Sequence, residues 1–92
     1  MMNRTYVKLK MITFDYTDLE GNRKARTYFP DWTLTEEFEN EIDERKVMNM
    51  LKDKLFRVTL QDLMSMGKYK DIDVTRLQWK TTTIKNQKSI WE

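Results

Sequence analysis

The stretch TLTEEFENEIDER, Thr33–Arg45, decides how the middle of the chain folds. It holds six acidic residues between Glu36 and Glu44 and no basic residue before Arg45. Thr33 and Glu36 have the spacing of a capping box, in which a hydroxyl and a carboxylate bind free backbone N–H groups. Apolar side chains recur at every fourth position, as on one face of an amphipathic helix, at Leu34, Phe38 and Ile42. The pattern predicts a helix from Thr33 whose acidic residues cover its solvent face.

The helical pattern changes phase beyond Glu44. A second apolar arc lies at Val47, Met48, Leu51 and Leu55. A bend near Asp43–Glu44 would place both arcs on one core. A further short helix is predicted in TLQDLMSMG, residues 59–67, because Thr59 is a suitable cap and Gly67 a suitable stop. The centre of the chain is therefore predicted to be one helix or a bent helix pair, followed by a short helix.

The first third of the chain predicts a β-hairpin. Residues 4–17, RTYVKLKMITFDYT, are rich in β-branched and aromatic residues, as strands are. DLEGN then predicts a turn in which Gly21 takes positive φ, and residues 23–29 return as the second strand. Pairing Asp18 with Arg23 would place Asp15 opposite Arg26 and Phe29 beside Ile12, on the apolar face.

The apolar side chains of the first strand change parity along its length. Val7, Leu9 and Met11 share one parity, and Ile12, Phe14 and Tyr16 share the other. Either a β-bulge near Met11–Ile12 brings both groups to one face, or the strand is central and covered on both sides. We expect this bulge because Lys8 and Lys10 would otherwise point into the core.

A last strand is predicted in TRLQWKTTTI, residues 75–84, where apolar and polar residues alternate. The expected fold class is α+β: an N-terminal β-hairpin, a central helix or bent helix pair, a short helix, and a C-terminal strand completing a small antiparallel sheet. At 92 residues, the chain is expected to form one domain over residues 1–92, with its last few residues frayed.

The amino-acid composition of the chain excludes several classes of function. The chain has no Cys and no His, which removes disulfides, thiolate chemistry and the commonest general base. Residues 1–11 lack the core of a signal peptide, and no apolar run approaches the roughly 18–20 residues of a membrane span. We therefore expect a cytoplasmic protein that does not bind membranes.

Catalytic and metal chemistry find little support in the sequence. Asp71 and Asp73 could offer two oxygen ligands to Mg²⁺, but no third ligand or glycine-rich loop accompanies them. The sequence has no phosphate-cradling glycine loop and no nucleophile elbow. We expect no enzyme activity, no cofactor and no metal.

Charge and aromatic residues favour a binding protein. Bases outnumber acids six to three in residues 1–30 and seven to four in residues 57–92, whereas acids outnumber bases eight to four in residues 31–56. Surfaces of opposite sign steer partners, and exposed tryptophans anchor interfaces. The expected protein-binding residues are Trp32, Glu36, Glu37, Glu41, Glu44, Met50 and Trp91.

In general style the chain is short, poor in breakers and rich in charge and methionine, and it resembles small proteins of phages and mobile elements. That resemblance implies an inhibitor of a host nucleic-acid-handling machine, acting in the host cytoplasm. An alternative is a nucleic-acid-binding protein that uses a basic, aromatic sheet face. Its expected residues are Tyr6, Lys8, Lys10, Lys24, Arg26 and Tyr28. A second alternative is a structural subunit of a homo-oligomer.

Overall fold

The computed structural model describes residues 2–87, and it has the predicted α+β class. The N-terminal strands and a C-terminal strand form a small antiparallel sheet, and one long helix covers one face of this sheet. The elements are β1 (Met2–Thr17), β2 (Arg23–Tyr28), β3 (Trp32–Phe38), a one-turn 3₁₀ helix (Glu41–Asp43), α1 (Glu44–Ser65) and β4 (Lys70–Gln87). The expected fraying of the last residues lies outside the described part of the chain.

β1 is the central strand of the sheet. β4 pairs with one of its edges along nearly the whole length, from Met2 opposite Gln87 to Thr17 opposite Lys70. The other edge is shared, because β3 pairs with residues 3–9 of β1 and β2 pairs with residues 12–17. The two short strands therefore lie end to end, and the molecule is elongated, 62 × 22 × 17 Å. We call the face covered by α1 the helix face and the opposite face the open face.

The predicted bulge in β1 is confirmed. Leu9 pairs with Trp79 and Met11 with Gln78, which leaves Lys10 as the extra residue. The buried side chains accordingly change parity, from Val7 and Leu9 to Ile12 and Phe14, while remaining on the helix face. The core has two clusters, one on each side of the bulge. One contains Val7, Leu51 and Leu55, and the other contains Ile12, Phe14, Leu63 and Tyr69.

α1 spans both clusters. Leu51, Leu55, Thr59 and Leu63 form its buried stripe, so the apolar arc predicted around Leu51 and Leu55 is confirmed. The segment from Thr59, expected to be a separate short helix, is the end of α1. No Gly or Pro interrupts residues 44–65, and the Thr59 hydroxyl donates to the Leu55 carbonyl, 2.8 Å away, within the helix. Gly67, with φ 73°, follows the helix end as predicted.

The helix predicted from Thr33 is wrong, because residues 32–38 form β3. A spacing of four residues fits two strand periods as well as one helical turn, so Leu34 and Phe38 share a face in either conformation. In β3 they lie on the helix face, where Leu34 packs against the Val7 cluster and Phe38 is buried. Ile42 lies beyond the strand and is 85% exposed. The acidic residues therefore do not cover a helix.

The register predicted for the hairpin is also wrong, by one residue. Asp15 pairs with Ala25 and Phe14 pairs with Arg26. The Asp18 carboxylate accepts backbone N–H groups from Glu20 and Asn22, and this loop sets the pairing. The slip of one residue moves three residues that were expected on the open face to the helix face. These are Lys24, Arg26 and Tyr28.

Candidate functional site

Two large aromatic side chains are exposed at the edge where β2 ends and β3 begins. Phe29 is 66% exposed and Trp32 is 49% exposed. Tyr28, just before Phe29, pairs with Ile12 of β1, and Trp32 pairs with Leu9. Both aromatics therefore lie beside the middle of the long central strand. We call Phe29 and Trp32 the aromatic edge.

The backbone of the aromatic edge is held in place. Pro30 is buried and fixes its own φ. Asp31 takes the left-handed conformation, φ 56°, which turns the chain from β2 into β3. Its carboxylate lies 2.6 Å from the Lys8 ammonium, and the hydrogen bond from Lys8 lowers the pKa of Asp31 below its ordinary value. The two aromatic side chains are thus presented on a short, constrained segment.

Acidic residues continue from the aromatic edge along β3 and the 3₁₀ helix. Glu36, on the helix face of β3, and Glu41 are exposed and have no ion pair within residues 2–87. Glu37 lies on the open face and pairs with Arg4, whereas Glu44, at the start of α1, lies 3.5 Å from the Lys85 ammonium. We call residues 36–44 the acidic segment. The acidic segment follows the same sheet edge as Trp32. It does not form the solvent-exposed side of an amphipathic helix, which the sequence predicted.

Of the other residues predicted to bind protein, Met50 lies on α1 and is 50% exposed. Its exposure agrees with its position outside the buried stripe of the helix. Trp91 lies outside the described residues. Phe29 was missed as a candidate, because the predicted register placed it on the apolar face. The local sequence signal for the exposure of Phe29 is the adjacent Pro30, because a proline indicates that the strand ends there.

The open face carries two lysines directly opposite each other. Lys8 of β1 pairs with Lys80 of β4, and the neighbouring Tyr6 lies between Thr82 and Thr35. Lys80 has no carboxylate partner in the described part of the chain, whereas Lys8 has Asp31. A shallow depression of about 280 Å³ lies over these residues. Its lining is Tyr6, Lys8, Thr33, Lys80 and Thr82.

The structure divides the residues predicted to bind nucleic acid. Tyr6 and Lys8 lie on the open face, and Lys10 occupies the bulge and is exposed. Lys24, Arg26 and Tyr28 lie on the other side of the sheet. They do not form one surface with Tyr6 and Lys8. Lys80 joins Tyr6 and Lys8 on the open face. The sequence signal for this position is that Lys80 follows the apolar Trp79, because successive side chains of a strand point to opposite faces.

The basic residues of the helix face are engaged within the protein. Arg26 donates to the Tyr69 hydroxyl, 2.5 Å away, and its guanidinium lies over the Tyr69 ring. Lys24 pairs with Asp18 at 3.1 Å. The Tyr28 hydroxyl donates to Asp62, and burial, followed by that hydrogen bond, raises the pKa of Tyr28. These contacts stabilise the hairpin end of the molecule.

No group of three or more acidic side chains in the described part of the chain could hold a metal ion, and Asp71 and Asp73 lie along β4. No helix within residues 2–87 has both the length and the apolar character that crossing a bilayer requires.

None of the family models, curated proteins and solved structures compared with this chain matches it.

Proposed function

We propose that this chain is a small, non-enzymatic binding protein that engages a protein partner through the aromatic edge. The observation that carries the proposal is the exposure of Phe29 and Trp32 on one constrained segment. Water contact with two large aromatic side chains is unfavourable, and their burial in a partner would remove it. Because Pro30 and Asp31 already fix the segment, little conformational entropy is lost when it binds. These are the properties of an interface anchor.

The acidic segment indicates the charge of the partner. Glu36 and Glu41 extend the aromatic edge with negative charge that no described residue neutralises. A complementary surface has an apolar pocket bordered by lysines or arginines. Proteins that handle nucleic acids carry such basic surfaces, because they bind phosphates. We propose a host machine of this class as the partner, in the cytoplasm, and inhibition as the consequence of binding.

The test is affinity capture from cells of the organism that encodes the protein. The bait is the whole chain, compared with Phe29→Ser/Trp32→Ser and with Glu36→Lys/Glu41→Lys. We expect the unchanged chain to capture one partner in stoichiometric amount, and both double variants to lose it. Raising the salt concentration should weaken capture, because the acidic contacts are exposed and therefore screened.

Leu19→Ser is the matched control, since Leu19, in the loop between β1 and β2, is 67% exposed and lies outside both the aromatic edge and the acidic segment. It should capture the partner as well as the unchanged chain does. Thermal unfolding of each variant, followed by circular dichroism, separates lost binding from lost folding. Folded Phe29→Ser/Trp32→Ser that still captures the partner would contradict the proposal, and so would the absence of any stoichiometric partner.

A further inference from the structure

The open face contains a charge arrangement that the fold does not need. Lys8 and Lys80 are directly opposite each other on adjacent strands. Like charges in this position destabilise a sheet. The Asp31 carboxylate, 2.6 Å from the Lys8 ammonium, offsets part of the Lys8 charge, but no carboxylate among the described residues pairs with Lys80. An anion bound between the two ammonium groups would relieve their repulsion.

The groups around the two lysines suit a phosphate. The hydroxyls of Thr33 and Thr82 line the same depression and can donate to phosphate oxygens. The Tyr6 ring lies beside them and offers a surface on which a base can stack. The depression is shallow and lies on a bare sheet, so it can admit a chain that continues past it in both directions.

The positive charge also continues along the strand. Arg76 of β4 pairs with Thr13, which alternates with buried Ile12 and Phe14, so Arg76 lies on the open face. It is exposed and stands four residues from Lys80, which is about 13 Å along an extended strand. A row of cations beside an aromatic ring matches a polymer of phosphates and bases better than it matches a single small anion.

We propose that the open face binds single-stranded nucleic acid, with Lys8 and Lys80 on the phosphates and Tyr6 against a base. This function goes beyond the binding of a protein at the aromatic edge and uses a different surface. A duplex fits the site less well, because its bases are already stacked on each other and cannot reach the ring of Tyr6.

The experiment measures binding of a fluorescent twelve-nucleotide single strand by anisotropy, at several salt concentrations from 50 to 200 mM. Each phosphate contact contributes about 0.7 to the slope of log affinity against log salt for a single strand. Lys8→Gln/Lys80→Gln should therefore lower the slope by about 1.4 and weaken binding at least tenfold at 50 mM salt. Tyr6→Leu should weaken binding about tenfold at every salt concentration, because stacking does not depend on counterions.

Asp31→Asn should change the affinity for the single strand in the opposite direction. Asparagine tolerates the left-handed conformation of Asp31, and the change releases Lys8 from its carboxylate. Binding of the single strand should become severalfold tighter. In the absence of nucleic acid, Lys80→Gln should raise the midpoint of thermal unfolding, because it removes the repulsion from Lys8.

Lys46→Gln/Lys54→Gln is the control for charge, since both lysines are exposed on α1, on the other side of the sheet. It should leave affinity and slope within twofold of the unchanged chain, as should Phe29→Ser/Trp32→Ser. The last variant separates this proposal from the one on the aromatic edge. No binding at 50 mM salt would overturn the proposal. Equal weakening by the two lysine pairs, or equally tight binding of a duplex, would overturn it as well.

Discussion

The carboxylate of Asp18 organises the loop between β1 and β2. It accepts N–H groups from Glu20 and Asn22, at 3.0 and 2.8 Å, and lies 3.1 Å from the Lys24 ammonium. The backbone hydrogen bond from Asn22, followed by the one from Lys24, lowers the pKa of Asp18 below its ordinary value. A carboxyl group with a lowered pKa stabilises the fold above its unfolded pKa, near pH 4. That stability is lost as the pH falls through the folded pKa.

Asp18→Asn tests this contribution. The amide oxygen can still accept the loop N–H groups, but the group no longer titrates. The unchanged chain should therefore lose more stability than Asp18→Asn between pH 7 and about pH 3. Urea denaturation at the two pH values measures both losses, and Glu20→Gln controls for the removal of a loop carboxyl group. Equal losses in Asp18→Asn and the unchanged chain would mean that the Asp18 contacts are not formed in solution.

Leu63 and Met64 are neighbours in α1 with opposite environments. Leu63 is fully buried beside Phe14 and Tyr69, whereas Met64 is 64% exposed. Leu63→Ala should lower the free energy of unfolding by about 2–5 kcal/mol, because it leaves a cavity in the core. Met64→Ala should change it by less than about 0.5 kcal/mol. Chemical denaturation of the two variants measures the difference, and similar values for both would show that the face assigned to α1 is wrong.

β3 is the element for which the conformation predicted from the sequence differs most from the observed one. Leu34 and Phe38 are spaced by four residues, which both a helix and a strand place on one face, so the spacing alone could not distinguish them. The strand conformation is decided by the pairing partner. The first half of β1 has an edge with which residues 32–38 can pair, and Leu34 packs against Val7 there. Thr33 and Thr35, which are β-branched, are the local signal for a strand.

Thr35→Ala tests the conformation of β3 by the sign of its effect. Alanine is the best helix former and a poor strand former. If residues 32–38 form a strand, Thr35→Ala should destabilise the protein by about 0.5–1 kcal/mol. Thr35→Val, which keeps the β-branch, should be close to neutral. Urea denaturation gives both values. A helix would instead be stabilised by Thr35→Ala, because alanine has the higher helix propensity.

The other elements could be predicted because their signals are local. The change of apolar parity between Met11 and Ile12 indicated the bulge, and Gly67 indicated the end of α1. The hairpin register could not be predicted in this way. The charged side chains of β2 were expected on the open face. Arg26 instead lies on the helix face, over the ring of Tyr69, which is more than forty positions further along the chain. Such a contact between distant segments has no sequence pattern of its own. The open-face site was predicted only in part, because that register was wrong.

The arrangement of strands gives the molecule an elongated shape. β2 and β3 share one edge of β1 end to end, and the radius of gyration over Cα atoms is 17.0 Å. A compact chain of this length would have a value of about 12 Å. Small-angle X-ray scattering should give a radius close to or slightly above 17 Å, with a mass of 11.3 kDa. A radius near that of a compact domain would contradict the fold.

The same scattering measurement tests the homo-oligomer alternative. The outer edge of β4 has no strand partner among residues 2–87, so a second copy could pair with it. Lysines along β4 and four register shifts against β1 are features that protect an edge strand from such pairing. We therefore expect a monomer at micromolar concentration. A mass twice the monomer value would favour the oligomer.

The pairing of β3 with β1 places Trp32 on the aromatic edge and Thr33 beside the two opposed lysines, so both proposed surfaces depend on it. NMR spectroscopy of the whole chain tests it directly. We predict backbone chemical shifts of extended structure for residues 32–38, and nuclear Overhauser effects between Val7 and Leu34 and between Tyr6 and Thr35. Helical shifts for this segment, with strong sequential amide contacts and none to β1, would contradict the pairing of β3 with β1.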